Sequence, residues 1–180
     1  DRLSALYNPN HKKGSAKDKI VIANSLAKRF ELSKEDTDKL KVAILLYDIG
    51  NMLLPKEILQ KRTPLTDDEI KMIKSHPVIA AKDILKPISV VQDIIPIIEH
   101  HHENWDGSGY PGKVSGQDIP LCSQMVLIID AYFALIEPRP YRQAKTKNEA
   151  ITIIRDGIDK KWNAKIAEEF ISIITTDSQG

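Results

Sequence analysis

Apolar residues recur along this chain at intervals of three and four, the repeat of one face of an α-helix. Ile20, Ala23, Ala27 and Phe30 share that spacing and predict a helix from about Ala16 to Phe30. Leu40, Ala43, Ile44 and Tyr47 predict a second, opened by Ser33 with Asp36 three residues on, like a capping box. Thr66 with Glu69 opens a third helix carrying Ile70 and Ile73. Pro77 stands where a first helical residue would, and Ile79 to Leu85 continues from it. A further helix is expected from Ser89 to His102, kinked or split by Pro96. Pro120 opens a long apolar helix through Ile136, Thr146 with Glu149 opens another, and Asn163 caps a last one to about Ile174. Residues 1–14 read as irregular, and no stretch alternates apolar and polar as a half-buried strand would. The expectation is an all-α helical bundle of about seven or eight helices over residues 15–180, without internal repeats.

Composition narrows the class without naming a function. A chain of 180 residues can bury one substantial core. A net charge of +1 does not point to nucleic acid. No run of about 18 apolar residues is present, so no membrane span is expected. Cys122 is the single cysteine, which excludes an intrachain disulfide and fits a cytoplasmic location. It lies in an apolar run and is expected to be a buried small hydrophobe. The first residue is Asp, so the chain is expected to be a part excised from a longer signalling protein.

The candidate chemistry centres on His100 to Pro111. Three of the five histidines stand there in a row, followed by Asp106-Gly107-Ser108-Gly109-Tyr110-Pro111. Neutral imidazole is the commonest protein ligand for a borderline metal ion. Consecutive helical residues point about 100° apart, so two neighbouring His can share a centre only at a helix end or kink. Other positions read two ways. Asp48 before Ile49-Gly50 could bind a metal or cap a turn, and His76 before Pro77 could be a ligand or a capping residue. Asp130, within Leu127 to Tyr132, is costly to bury unless paired or coordinated; the alternative is a solvent-facing Asp on an amphipathic helix. Arg139 and Arg142 could grip phosphate or simply sit on an exposed loop.

His101-His102-Glu103 followed by Asp106 to Pro111 resembles the signature of the HD-GYP domains. These form a subset of the HD metal-dependent phosphohydrolases and cleave cyclic di-GMP in bacteria. The similarity runs from about Leu40 to about Arg142. It implies that Asp48, His76, His101 and His102 hold one metal, that Asp130 belongs to a second, and that Tyr110, Arg139 and Arg142 face the nucleotide. It also implies that the Gly-Tyr-Pro loop can contact diguanylate cyclase domains.

The chain departs from the family pattern at several places. Tyr47 stands where the family has the His of its His-Asp pair. Asn51 replaces a Lys near the scissile phosphate, and Phe133 replaces a common Asp. The interval to the first-helix ligand lands near Ser15, with only His11 nearby, a turn earlier. One centre is therefore complete and the other lacks two of four ligands. The expectation is one transition metal (Fe, Mn, Zn or Ni), with the second weak or absent. The domain is then a weak or inactive phosphodiesterase that acts by binding cyclic di-GMP, a related nucleotide or a protein partner. The alternatives are an active metal-dependent phosphodiesterase with an altered site, and a purely structural helical module.

Overall fold

The computed structural model describes residues 15–61, 63–138 and 143–176. Helix α1 (Ser15–Arg29) ends in a Schellman turn: Leu32 N–H donates to Ala27 O at 2.9 Å and Glu31 N–H to Lys28 O at 3.2 Å. Glu31 sits at φ 51, the left-handed position such a turn demands. Helix α2 (Lys34–Leu46) starts at Ser33, whose hydroxyl accepts from Asp36 N–H at 3.0 Å. The return bond differs from a capping box, because Ser33 Oγ donates to the Asp36 carboxylate at 2.7 Å. The boxes at Thr66 and Thr146 are complete and open α3 (Asp67–Lys74) and a later helix.

The prolines set the next boundaries. Helix α4 (His76–Ile79) carries Pro77 in its first turn, and Ala80–Leu85 then widens into a π-helical turn. The single helix expected from Ser89 to His102 is not formed. A 3-10 segment, Ser89–Ile94, leads into α5 (Ile95–Glu99), with Pro96 in its first turn. Proline is tolerated there because its missing N–H would have had no partner in the helix. The chain leaves the helix at His100, at φ -104 and ψ 12. His101 and His102 are therefore outside any helix.

Helix α6 (Leu121–Ile136) is the axis of the bundle. It packs against α1, α2, α5 and the two last helices, α7 (Lys147–Asp156) and α8 (Ala164–Thr176). Met125, Val126, Ile128 and Ile129 are completely buried, as a helix apolar on nearly all sides requires. Each such side chain contributes about 1.5–3 kcal/mol on burial. Asn163 Oδ1 accepts from Ile166 N–H at 3.2 Å and starts α8 as expected. Among the described residues, β-type pairing is limited to one isolated bridge between Ile158 and Trp162. None of their helices is long and apolar enough to cross a membrane. Cys122 is free and only part-buried.

Candidate metal centre

His76 opens α4, and His101 lies two residues beyond the end of α5. His76 Nδ1 lies 2.8 Å from Ile73 O, and His101 Nδ1 lies 2.6 Å from Ile98 O. A carbonyl can only accept, so each ring donates from Nδ1 and keeps a lone pair on Nε2. The two Nε2 atoms are 3.3 Å apart. Two lone pairs that close repel one another unless they share a cation. His102 joins them: one nitrogen from each of His76, His101 and His102 lies within 4.8 Å of the others. Asp48 Oδ1 is 3.5 Å from His76 Nε2. Three converging imidazoles, two of them fixed by backbone acceptors, with a carboxylate beside His76, fit a divalent transition metal.

His101 and His102 are kept neutral, as ligation requires. His101 is completely buried, and burial, then the neighbouring His102 and His76, hold it well below the usual histidine range. His102 is pushed down to about 4, chiefly by burial; the Asp130 charge opposes this and His76 adds to it. The unfolded chain therefore takes up these protons first as pH falls. The two rings' contribution to stability is complete above about pH 6.5 and, for His102, is lost between there and about pH 4. For His102 alone the loss is about 3 kcal/mol. The metal-stripped domain should accordingly show a much lower denaturant midpoint at pH 4.5 than at pH 7.5, and His102→Gln should reduce the difference, leaving the part that His101 contributes. Midpoints equal at the two pH values would contradict it.

The loop after the histidines walls the cluster. Glu103 is completely buried, and its Oε1 accepts from Gly112 N–H at 2.5 Å and Lys113 N–H at 2.9 Å. Tyr110 N–H donates to His102 O at 3.2 Å, and the Tyr110 ring stacks on His102 with centroids 4.8 Å apart. Gly109 lies so close to the strand of chain before it that a Cβ would come within 2.5 Å of Glu103 Cα. Gly107, at φ 80, makes the turn in which Asp106 Oδ1 accepts from Ser108 N–H at 2.9 Å. Trp105 and Asp106 donate their N–H groups to Lys161 O and Lys160 O, docking the loop between α7 and α8. Pro111 follows Tyr110 through a cis peptide bond. His100 stands apart from the three-ring group, with Nδ1 3.7 Å from Glu103 Oε1. Sequence reasoning quoted Glu103 within the motif but gave it no role; here it ties the loop to the ligand segment.

Asp48 makes no capping bond with its side chain. Its Oδ1 accepts from Asn51 Nδ2 at 2.9 Å, and Asn51 Oδ1 is buried without a hydrogen-bond partner. Gly50 lets this turn approach α4, since a Cβ there would collide with the His76 carbonyl group.

The second set of expected ligands is arranged differently. Among the described residues neither Asp48 nor Asp130 lies within 4.8 Å of all three imidazoles; Asp48 approaches the group through His76. Asp130 Oδ1 accepts from Tyr47 OH at 2.6 Å and lies 3.6 Å from Lys19 Nζ. Lys19 Nζ also donates to Tyr47 OH at 2.6 Å. Burial first, then the Asp130 and Asp48 charges, push Tyr47 well above the usual phenol range, so it remains a protonated phenol. Its ring meets His101 edge-on at 5.2 Å. Lys19 was missed in the sequence, although it stands one and two turns before the buried Ala23 and Ala27 on the same helical stripe. His11, Arg139 and Arg142 lie outside the described residues.

The HD domain family matches residues 2–166 of this chain. A cyclic di-GMP phosphodiesterase of Vibrio cholerae is 34% identical over 71% of this chain and 27% of its own length. The cyclic di-GMP phosphodiesterase response regulator RpfG of Xanthomonas campestris is 33% identical over 74% of this chain and 35% of its own. A 3'3'-cGAMP-specific phosphodiesterase 1 of Vibrio cholerae is 30% identical over 88% and 36%. The chain thus spans well under half the length of these curated relatives. Among solved structures, Bd1817, an HDG"Y"P protein from Bdellovibrio bacteriovorus, superposes with a TM-score of 0.71. It is 21% identical, over 89% of this chain and 51% of that one, and supports the helical fold.

Proposed function

This chain belongs to the HD domain family, and from that premise we propose that it is an HD-GYP-type domain of cyclic di-GMP signalling with a degraded metal site. It binds cyclic di-GMP or a related nucleotide and turns it over weakly or not at all. One observation carries this reading. The imidazoles of His76, His101 and His102 converge beside Asp48, whereas Asp130 is engaged by Lys19 and Tyr47. His76, His101, His102 and Asp48 would hold one ion, of Fe, Mn, Zn or Ni. A bound ion of this kind polarises a phosphoryl oxygen and acidifies water. Asn51 is neutral and spends its amide on Asp48, so it cannot offset phosphate charge as a Lys would.

Tyr110 forms the wall of the site through its stack on His102. Arg139 and Arg142 are assigned to the nucleotide phosphates, a role that suits the guanidinium fork. The helical domain is assigned to residues 15–180, working in the cytoplasm as part of a longer signalling protein. The exposed tip of the loop, Asp106 and Ser108, is assigned to protein contact, with a diguanylate cyclase domain as the partner.

The second reading, an active phosphodiesterase with an altered site, draws support from the names of the relatives and from the intact imidazole set. Titration calorimetry with cyclic di-GMP separates the two. Saturable heat below about 100 μM ligand, with the nucleotide recovered intact, is the expected result. Absence of heat over that range would remove the binding role, and recovery of linear product would favour the second reading.

A further inference from the structure

The metal-centre reading leaves Lys19 without a role. We propose that the Lys19 ammonium is a resident cation, held by Tyr47 and Asp130 in the half of the site where a second metal would bind, and that it limits the centre to one ion per chain. This rests on the reading of His76, His101 and His102 as a metal centre.

Lys19 is 8% exposed and lies on the buried stripe of α1. An ammonium in such a place is retained only if it is well paired. Its partners come from two other helices. It donates to Tyr47 OH at 2.6 Å, at the end of α2, and lies 3.6 Å from Asp130 Oδ1, on α6. The Phe133 ring closes the cage, with its centroid 5.5 Å from the ammonium. Phe133 and Tyr47 are two positions at which the chain departs from the family pattern, and both now serve the ammonium.

These residues do not fit a second divalent ion. The phenol oxygen accepts from Lys19 and donates to Asp130, and the same Asp130 oxygen faces the ammonium. An entering cation would have to displace a fixed positive charge or sit against it, in a part-buried site that screens the repulsion poorly. The ammonium also holds Tyr47 and Asp130 in place, and the Tyr47 ring supports His101 edge-on at 5.2 Å. Lys19 is therefore a positioning residue for the single centre.

The test is the number of ions per chain, measured by elemental analysis after equilibration with excess Mn(II). Wild type and Tyr47→His should each take one, because restoring an imidazole leaves the ammonium in place. Tyr47→His with Lys19→Gln should take two. Two ions in wild type or in Tyr47→His alone, or one in the double variant, would overturn the proposal. Zero in wild type would instead refute the metal-centre reading.

A metal-free readout keeps the two separable. Lys19→Met and Asp130→Asn should each lower the thermal midpoint of the stripped domain by roughly 5–15 °C. Together they should lower it by clearly less than the sum, since each removes the other's partner. Lys19→Arg, which keeps the cation, should fold and retain the wild-type count of one. Additive losses in the double variant would show that Lys19 and Asp130 are not coupled.

Discussion

Loaded with its metal, the domain is expected to linearise cyclic di-GMP about 10³ to 10⁴ times more slowly than competent relatives. The estimate comes from what the site lacks. Tyr47 offers a protonated phenol, spent on Asp130, where an imidazole would be needed for a second ion. Asn51 brings an amide where a positive charge would face the phosphate. Each defect costs on the order of 2–3 kcal/mol of transition-state stabilisation. A fixed ammonium supplies charge but cannot shift toward attacking and leaving oxygens as a clamping ion does. Chromatography of single-turnover mixtures measures this directly. Product appearing at the rate of the relatives would make the second reading, an active enzyme, the correct one.

His101→Ala is expected to empty the centre. The ring is completely buried, touches His102 with centroids 4.0 Å apart, and faces His76 through Nε2. Removing it deletes one of three imidazoles, so the loss in affinity should exceed the roughly 10–100-fold that changes in the outer shell cost. It also opens a cavity and strands the Ile98 carbonyl that Nδ1 satisfies. Together these should destabilise the stripped domain by about 2–4 kcal/mol. Elemental analysis after dialysis should find metal in wild type and almost none in the variant. A variant that retains both its metal and its midpoint would remove His101 from the centre.

Much of the fold could be read from the chain because its cues are local. The spacing of Leu40, Ala43, Ile44 and Tyr47 marked a buried face, and all four are buried. Thr66 and Thr146 marked helix starts through bonds that span three residues. The helix expected to reach His102 stops at Glu99 because apolar spacing does not register a change of backbone angles at His100. That error matters, since leaving the helix is what frees His101 and His102 to converge. His76 and His101 meet across 25 positions, and only the motif resemblance paired them.

Lys19 was invisible for a related reason. Its partners stand 28 positions away at Tyr47 and, for the phenol's own bond, 83 positions further at Asp130. A single Lys beside an apolar stripe reads as a snorkelling surface residue until its neighbours are known. Sequence reasoning registered Tyr47 and Asn51 as losses. The structure gives Tyr47 a positive role, as the link between an ammonium and a carboxylate.

The most direct measurement is the anomalous scattering of crystals grown from metal-loaded protein, which locates each ion and the atoms around it. One ion per chain is predicted, ligated by His76, His101, His102 and Asp48, with Lys19 Nζ still lodged between Tyr47 and Asp130. Two ions side by side with Asp130 among their ligands, or no ion among the three imidazoles, would contradict it.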